Sequence, residues 1–370
     1  MVTQLLAEDL RLRRRVVGLV RQLRKATNMA AVTLPRYSAD DLYHDGSQIL
    51  RRRVVILLSS GCSVPTCTMC PFTNYNLYGT HRAPPDPVLQ LAQEFERNPP
   101  DGTDLVSVYN DGSFFADSEV TAEQRVGIAR VVRDAGVLNL MVESLPQFMT
   151  PARLDPVVEA LRGGALIVGI GLQSSNDFVR QVCVGTSFTR PQFERAVAVA
   201  YSSGVVVKSY VMIKPPFLDD AAALRDVVET AQYLCGIGAP SVTLCPTRVA
   251  ENTVVHALFE SGLYEPPHIF TVLAALHAVL HLVDVRVAVI NLTGEDFESV
   301  TAISGSDAPA RVVLEAIVAF NRSRDPADLR LASPVERCYA EHRDRLERAP
   351  RVDPRGTLQS LLGELEVHLA

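Results

Sequence analysis

The residues best equipped for chemistry sit together. Cys62, Cys67 and Cys70 fall inside the run Gly61-Cys62-Ser63-Val64-Pro65-Thr66-Cys67-Thr68-Met69-Cys70-Pro71-Phe72, directly after the hydrophobic segment Val54–Ser59. Thiolates are the preferred ligands of iron–sulfur clusters. Three of them on one loop can hold three irons of a 4Fe-4S cubane and leave the fourth iron open to a chelating ligand. The competing reading is zinc. A structural zinc closes its shell with four ligands, and this run supplies three. The chain has seven cysteines, the others being Cys183, Cys235, Cys245 and Cys338. An odd count behind the charged N-terminus MVTQLLAEDLRLRRR, which has no signal-peptide core, makes a disulfide framework a poor expectation.

The elements that must carry this loop alternate along the chain. Strands are predicted at Val54–Ser59, Leu105–Tyr109, Leu138–Glu143, Leu166–Leu172, Val205–Ile213 and Val242–Cys245. Helical patterning separates them, as at Thr121–Ala135, Pro151–Arg162, Arg190–Ser203 and Ala221–Leu234. Such alternation argues for an α/β fold with a parallel sheet and crossover helices. Six units suit a partial (β/α)6 barrel, since a complete barrel needs two more. Beyond Cys245 the pattern is mainly helical (Thr253–Ser261, His268–Val283, Ala308–Phe320 and Glu336–Leu346), with Arg286–Leu292 as one further candidate strand. The expected division is therefore 1–50, an N-terminal helix and irregular lead-in; 51–245, the barrel core; and 246–370, a C-terminal extension.

Bulk properties narrow the function. With 370 residues, 47% of them hydrophobic and 21% charged, the chain can build a large core. A net charge of -6 argues against a dedicated nucleic-acid binder. Arg11, Arg13, Arg14, Arg15, Arg21, Arg24 and Lys25 cluster early, followed by Arg51, Arg52 and Arg53. They read as a solvated helix face and a strand entry, the alternative being an arm for phosphate. No apolar run is long enough to span a membrane, and the expected location is cytoplasmic.

A three-cysteine loop after the first strand of a βα barrel resembles the radical SAM superfamily. The spacing here is Cx4Cx2C where Cx3Cx2C is usual, and Met69 replaces the aromatic residue that commonly precedes the last cysteine. The segments YNDGSFFADSEV (109–120), VESLPQFMT (142–150), GIGLQSSNDFVRQ (169–181), VKSYVMIKPPF (207–217) and CPTRVAENTVV (245–255) resemble the archaeosine-synthase radical SAM subunit, a relative of the catalytic subunit of elongator. The resemblance implies a 4Fe-4S cluster on Cys62, Cys67 and Cys70 and S-adenosylmethionine as cofactor. It also implies reductive cleavage to a 5′-deoxyadenosyl radical, hydrogen abstraction, and an electron donor such as flavodoxin or ferredoxin.

Strand periodicity then suggests what lines the lumen, because alternate residues face opposite sides. Lys208, Tyr210, Met212 and Lys214 share one face of the fifth strand, and helices cover the other. Lys208, Tyr210 and Lys214 are the candidate catalytic residues, with Lys208 also a candidate cofactor ligand, because lysines in a lumen want an anionic partner. The plainer reading puts both lysines at strand ends, in water. Ile167, Gly169, Gly171 and Gln173 share a face, with room for a ligand at the glycines. The resemblance gives Gln173 to the ribose or carboxylate of S-adenosylmethionine. Asp111-Gly112-Ser113 stands where the family carries a Gly-Gly-Glu-like turn, and Glu143 ends the third strand, so these four are further candidate cofactor contacts. Cys183, Cys245 and Cys338, with or without Cys235, are candidate ligands of an auxiliary cluster, against the alternative of small buried hydrophobes. His277 and His281 read as ordinary helix residues.

Three functions compete. The first is a radical SAM enzyme acting on a small nucleoside or sugar, as in antibiotic biosynthesis, with sulfur insertion if an auxiliary cluster is present. The second is a tRNA nucleobase-modifying enzyme. The third is a non-catalytic zinc or Fe-S binding protein. The acidic balance favours the first.

Overall fold

The arginine run at 51–53 lies on a strand, opposite acidic residues. In the computed structural model, which describes residues 6–24, 34–72, 86–289, 299–301 and 308–369, β1 (Tyr37–His44) pairs antiparallel with β2 (Ile49–Ile56). Asp41 stands opposite Arg52 and Asp40 opposite Arg53, and both pairs form ion pairs. The lead-in expected to be irregular thus contains an edge strand. Its polar sequence, YSADDLYH, hides it from a hydrophobic pattern. Lys25 of the early basic cluster and residues 290–292 of the last candidate strand lie outside the described residues.

The remaining strands add in parallel: β3 (Leu105–Tyr109), β4 (Asn139–Glu143), β5 (Leu166–Gln173), β6 (Val206–Ile213) and β7 (Ser241–Pro246). After the short β8 (Val249–Ala250), β9 (Asp284–Val287) joins β7, also in parallel. The sheet order is β1-β2-β3-β4-β5-β6-β7-β9, and β8 pairs separately with β10 (Ser299–Thr301). The sheet therefore takes strands from both sides of the boundaries expected at 50 and 245.

Helices α2 (Pro87–Arg97), α3 (Ala122–Asp134), α4 (Pro151–Leu161), α5 (Arg190–Ser202) and α6 (Asp220–Gly236) form the crossovers. Thr121 and Gln124 close a capping box on α3, and Asp86 and Asp219 cap α2 and α6. The main core lies between helices and sheet. Val55, Val106, Val108, Leu140, Val142, Val168, Val207, Val211 and Leu244 face out from the strands to meet Ile128, Leu154, Phe193 and Val227. After α7 (Val254–Glu260) comes α8 (Ile269–Val279), apolar nearly all round because it is buried among its neighbours. Then follow α9 (Ala308–Ser323), α10 (Val335–Arg348) and α11 (Pro354–Leu369). A second core unites α1 (Ala7–Leu23), α7 and α11 through Leu12, Val16, Leu258, Leu358 and Leu362. No helix among the described residues is long and apolar enough to cross a membrane.

The inner face of the sheet shows that it curls. Tyr43 on one edge strand meets Arg286 on the other, 4.4 Å from guanidinium to ring centre, and Lys208 of β6 at 5.7 Å. Arg324, just beyond α9, donates to the carbonyls of Val285 on β9 and His44 on β1 and pairs with Asp284 at 3.8 Å. The result is an open half-barrel. Its inner face carries a small apolar group (Tyr43, Leu50, Leu105, Met141 and Ile167, with Tyr210 against it) and otherwise polar residues.

Candidate active site

The cysteine loop leaves β2 and is fixed by its surroundings. Thr68 donates from its backbone to the Val184 carbonyl at 3.0 Å and from its hydroxyl to the Cys183 carbonyl at 2.8 Å. The Thr66 hydroxyl donates to the Gly185 carbonyl. From the other side the buried Glu119 carboxylate accepts from the Ser63 backbone at 2.8 Å and hydroxyl at 2.6 Å, and its second oxygen accepts from the Ser113 backbone. Two glycines let these surfaces close. A Cβ at Gly112 would fall 1.9 Å from the Glu119 carboxylate, and one at Gly185, where φ is +85, would fall 2.2 Å from the Thr66 carbonyl oxygen.

Burial pushes the Cys62 thiol well above its ordinary value, helped by Glu119 and the other two thiols. Burial likewise pushes the Cys67 thiol up to about 12, Cys70 adding to the rise while Arg24 and Arg13 oppose it. Thiols in such a site lose their protons when a metal takes them. The surroundings suit the anionic assembly of three thiolates on an iron–sulfur core. Arg24 faces all three thiols and has two buried guanidinium nitrogens without a hydrogen-bond partner; Arg13 faces Cys67 and Arg248 faces Cys70.

Below the loop, side chains from successive strands converge. Asp111, in the left-handed region at φ +55, pairs with Arg36 at 2.9 Å. Burial outweighs Arg36 and Arg248 and raises its carboxyl to about 6. Burial raises Glu143 to about 7; the Tyr210 hydroxyl interacts with its carboxyl and Asp111 adds repulsion. Cys245 is close enough to feel Glu143, Arg286 and Arg248, and burial raises its thiol to about 12. Asn110, buried at the top of β3, has neither side-chain nitrogen nor oxygen satisfied, and the Gln173 amide oxygen is likewise buried and unpartnered. The room left by the glycines of β5 is used by the chain itself: a Cβ at Gly169 would lie 2.5 Å from the Tyr210 hydroxyl, and one at Gly171 2.5 Å from the Gln173 amide nitrogen.

The structure thus brings Asp111, Glu143, Tyr210 and Cys245 to one place, with Gly112 and Ser113 as packing and anchoring points for the loop. Lys208 lies deeper, 3.6 Å from Asp284 and over Tyr43. Lys214 separates from it. Its φ of +59 breaks the strand alternation, and its ammonium is held by Asp220 at the start of α6, 2.5 Å away. The other cysteines are spread out: Cys183 is buried in the second core, Cys338 is exposed on α10 and Cys235 is exposed on α6. His277 hydrogen-bonds Tyr339 at 2.8 Å. Sequence reasoning missed Asn110, Glu119, Arg36, Arg248 and Arg286 in the site, and put Arg13 and Arg24 on a solvated face. Only the DGSFFADSE stretch carried a signal for Glu119.

The open half-barrel, with three thiols on the loop that follows β2, resembles radical SAM proteins, and the relatives of this chain support that relationship. It is 30% identical over 233 residues to archaeosine synthase subunit beta of Methanosarcina acetivorans, a match covering 60% of this chain and 65% of that one. It is 25% identical over 232 residues to archaeosine synthase subunit beta of Thermococcus kodakarensis, covering 60% and 70%. The chain thus spans just under two thirds of the Methanosarcina protein. No family model matches it. Among solved structures, Elp3 of Methanocaldococcus infernus superposes with a TM-score of 0.49 at 15% identity, over 73% of this chain and 63% of that one.

Two outcomes follow from the packing and the charges. Gly185→Ala must push Thr66 and the loop apart, so iron bound after anaerobic reconstitution should fall at least severalfold while far-ultraviolet circular dichroism stays unchanged; full iron loading would mean the loop tolerates displacement. Glu143 has a folded value of about 7 against an ordinary 4.5. Its contribution to stability is complete below pH 4.5 and lost as pH rises through 7. Glu143→Gln should therefore stabilise the cluster-free protein at pH 8 by up to about 3 kcal/mol and by much less at pH 5, as read by chemical denaturation. Equal effects at both pH values would show that Glu143 is charged throughout.

Proposed function

We propose that this chain holds a 4Fe-4S cluster on Cys62, Cys67 and Cys70, binds S-adenosylmethionine beside it, and modifies a nucleoside-class substrate by hydrogen abstraction. The observation that carries the reading is the set of three half-buried thiols faced by Arg13, Arg24 and Arg248 above a polar lumen. When bound, the cluster supplies the electron that cleaves S-adenosylmethionine to methionine and a 5′-deoxyadenosyl radical.

The chain's own residues do the rest. Asn110 and Gln173 offer unpartnered amides to the polar groups of the cofactor. Asp111, held by Arg36, is a carboxylate fixed in direction beside the loop. Glu143, with its carboxyl raised to about 7, is partly protonated at neutral pH, so with Tyr210 it can donate as well as accept a proton. The buried walls keep water from a reactive intermediate. A flavodoxin or ferredoxin is the proposed electron donor.

For the substrate we favour a small nucleoside or sugar, which suits a lumen this enclosed by side chains and an acidic chain. The names of the curated relatives favour the second reading, a nucleobase carried on tRNA. Sulfur insertion would need a further cluster using Cys245 with ligands brought from elsewhere, because Cys183 and Cys338 lie apart from each other on separate elements.

Anaerobic reconstitution tests the reading. Wild-type protein should bind about four irons and release 5′-deoxyadenosine and methionine under strong reductant. The Cys62→Ala/Cys67→Ala/Cys70→Ala variant should do neither. Zinc in place of iron, or no cleavage by iron-loaded protein, would refute it, whereas about eight irons falling to about four would establish the further cluster. Filter binding with unmodified tRNA separates the substrates. Weak binding, near the non-specific level at physiological salt, goes with a small substrate; tight binding that falls steeply with salt would move the proposal to tRNA.

A further inference from the structure

The deep lumen carries more positive charge than its own acids answer. Four cations line it: Arg52 from β2, Lys208 from β6, Arg286 from β9, and Arg324 from the turn after α9. Arg52 is paired by Asp41, and Arg324 by Asp284, which is also the acid nearest Lys208. Lys208 is 2% exposed, and at 3.6 Å from Asp284 its ammonium makes no hydrogen bond. Arg286 forms no ion pair among the described residues, and its Nε and Nη1 are buried without an acceptor.

The direction of Arg286 is fixed by its strand. Val285 and Val287, on either side, enter the main core, so Arg286 points into the lumen. There it lies on the Tyr43 ring at 4.4 Å and is felt by Cys245 and Tyr109. It thus sits between the lumen floor and the group formed by Glu143, Tyr210 and Cys245. A buried guanidinium that lacks acceptors is costly, and burial together with Arg52 holds Arg286 below its ordinary value. The cost falls away when an anion with several oxygens enters.

We propose that Arg286, backed by Lys208 and Arg52 around Tyr43, is a binding site for an anionic group of the substrate, a carboxylate or a phosphate, inserted into the lumen below Glu143. This rests on the reading that the lumen is the substrate site, and it deepens it. The substrate carries its negative charge at the end that enters first, and the bond to be attacked lies toward the thiols. Arg286 is then a binding residue, and Lys208 and Arg52 position the charge.

The test uses inorganic phosphate and acetate as separate probes on reconstituted protein, with chloride at matched ionic strength as control. Binding is followed by thermal shift and by tyrosine fluorescence, which no tryptophan masks in this chain and to which Tyr43, Tyr109 and Tyr210 contribute. Wild type should show saturable stabilisation by at least one probe, and the stronger probe identifies the group. Arg286→Met should weaken that binding at least tenfold while itself melting higher than wild type in chloride, and Arg286→Lys should recover part of the binding. No saturable response beyond chloride in the wild type, or binding that survives Arg286→Met, overturns the site. Iron content and S-adenosylmethionine cleavage are measured on the same preparations. Their failure removes the catalytic reading while an Arg286-dependent response still establishes the anion site.

Discussion

A curled sheet has an inside, and what fills that inside decides everything else in this molecule. Seven parallel strands direct half their side chains inward. Only a few of these are apolar, and they gather around Tyr43 near the floor. The others include acids, amides, arginines, a lysine, tyrosines and a thiol, held away from water by the strands that bear them. Groups in that position must pair with one another or be satisfied by something that enters. The raised values of Asp111, Glu143 and Cys245 all have burial as their largest cause. The lumen is therefore an environment in which each charge is costly unless it is matched.

The cysteine loop meets the same constraint at the mouth. It has no regular structure of its own, and its shape is borrowed. Glu119 holds it from the β3 side, while the segment at 183–185 holds it from the β5 side. Gly112 and Gly185 are where these supports come closest. The extra residue in the Cys62-to-Cys67 spacing lies in the part of the loop spanned by these two anchors, Ser63 on one side and Thr66 on the other.

Much of this was legible from hydrophobic pattern and cysteine spacing. The six central strands appeared as apolar runs because helices cover their outer face, and the thiol motif declared itself by density. The edge strand β1 did not appear, because its sequence is polar, with Asp40 and Asp41 facing Arg53 and Arg52 across the ladder. Lys214 was placed in the lumen by alternation that a single left-handed residue breaks. Arg13 and Arg24 looked like members of a solvated stripe, and nothing in a run of arginines tells which of them turns inward. Arg286 was half seen as part of a late strand, but the strand's membership in the sheet, and so its inward direction, is a long-range fact. The residues that sequence reasoning missed are mostly those whose partners lie far away in the chain.

The two ends of the described chain meet beside the thiols. Arg15 of α1 pairs with Glu366 of α11 at 2.7 Å, and Arg355 reaches Asp9 at 2.8 Å. α1 is the helix that carries Arg13 and leads into Arg24. During synthesis, the loop and its first strands emerge early, whereas the helix that clamps α1 emerges more than three hundred residues after it. The helix that brings Arg13 to the thiols is thus anchored by residues made last among those described, so its seat beside the loop depends on the far end of the chain.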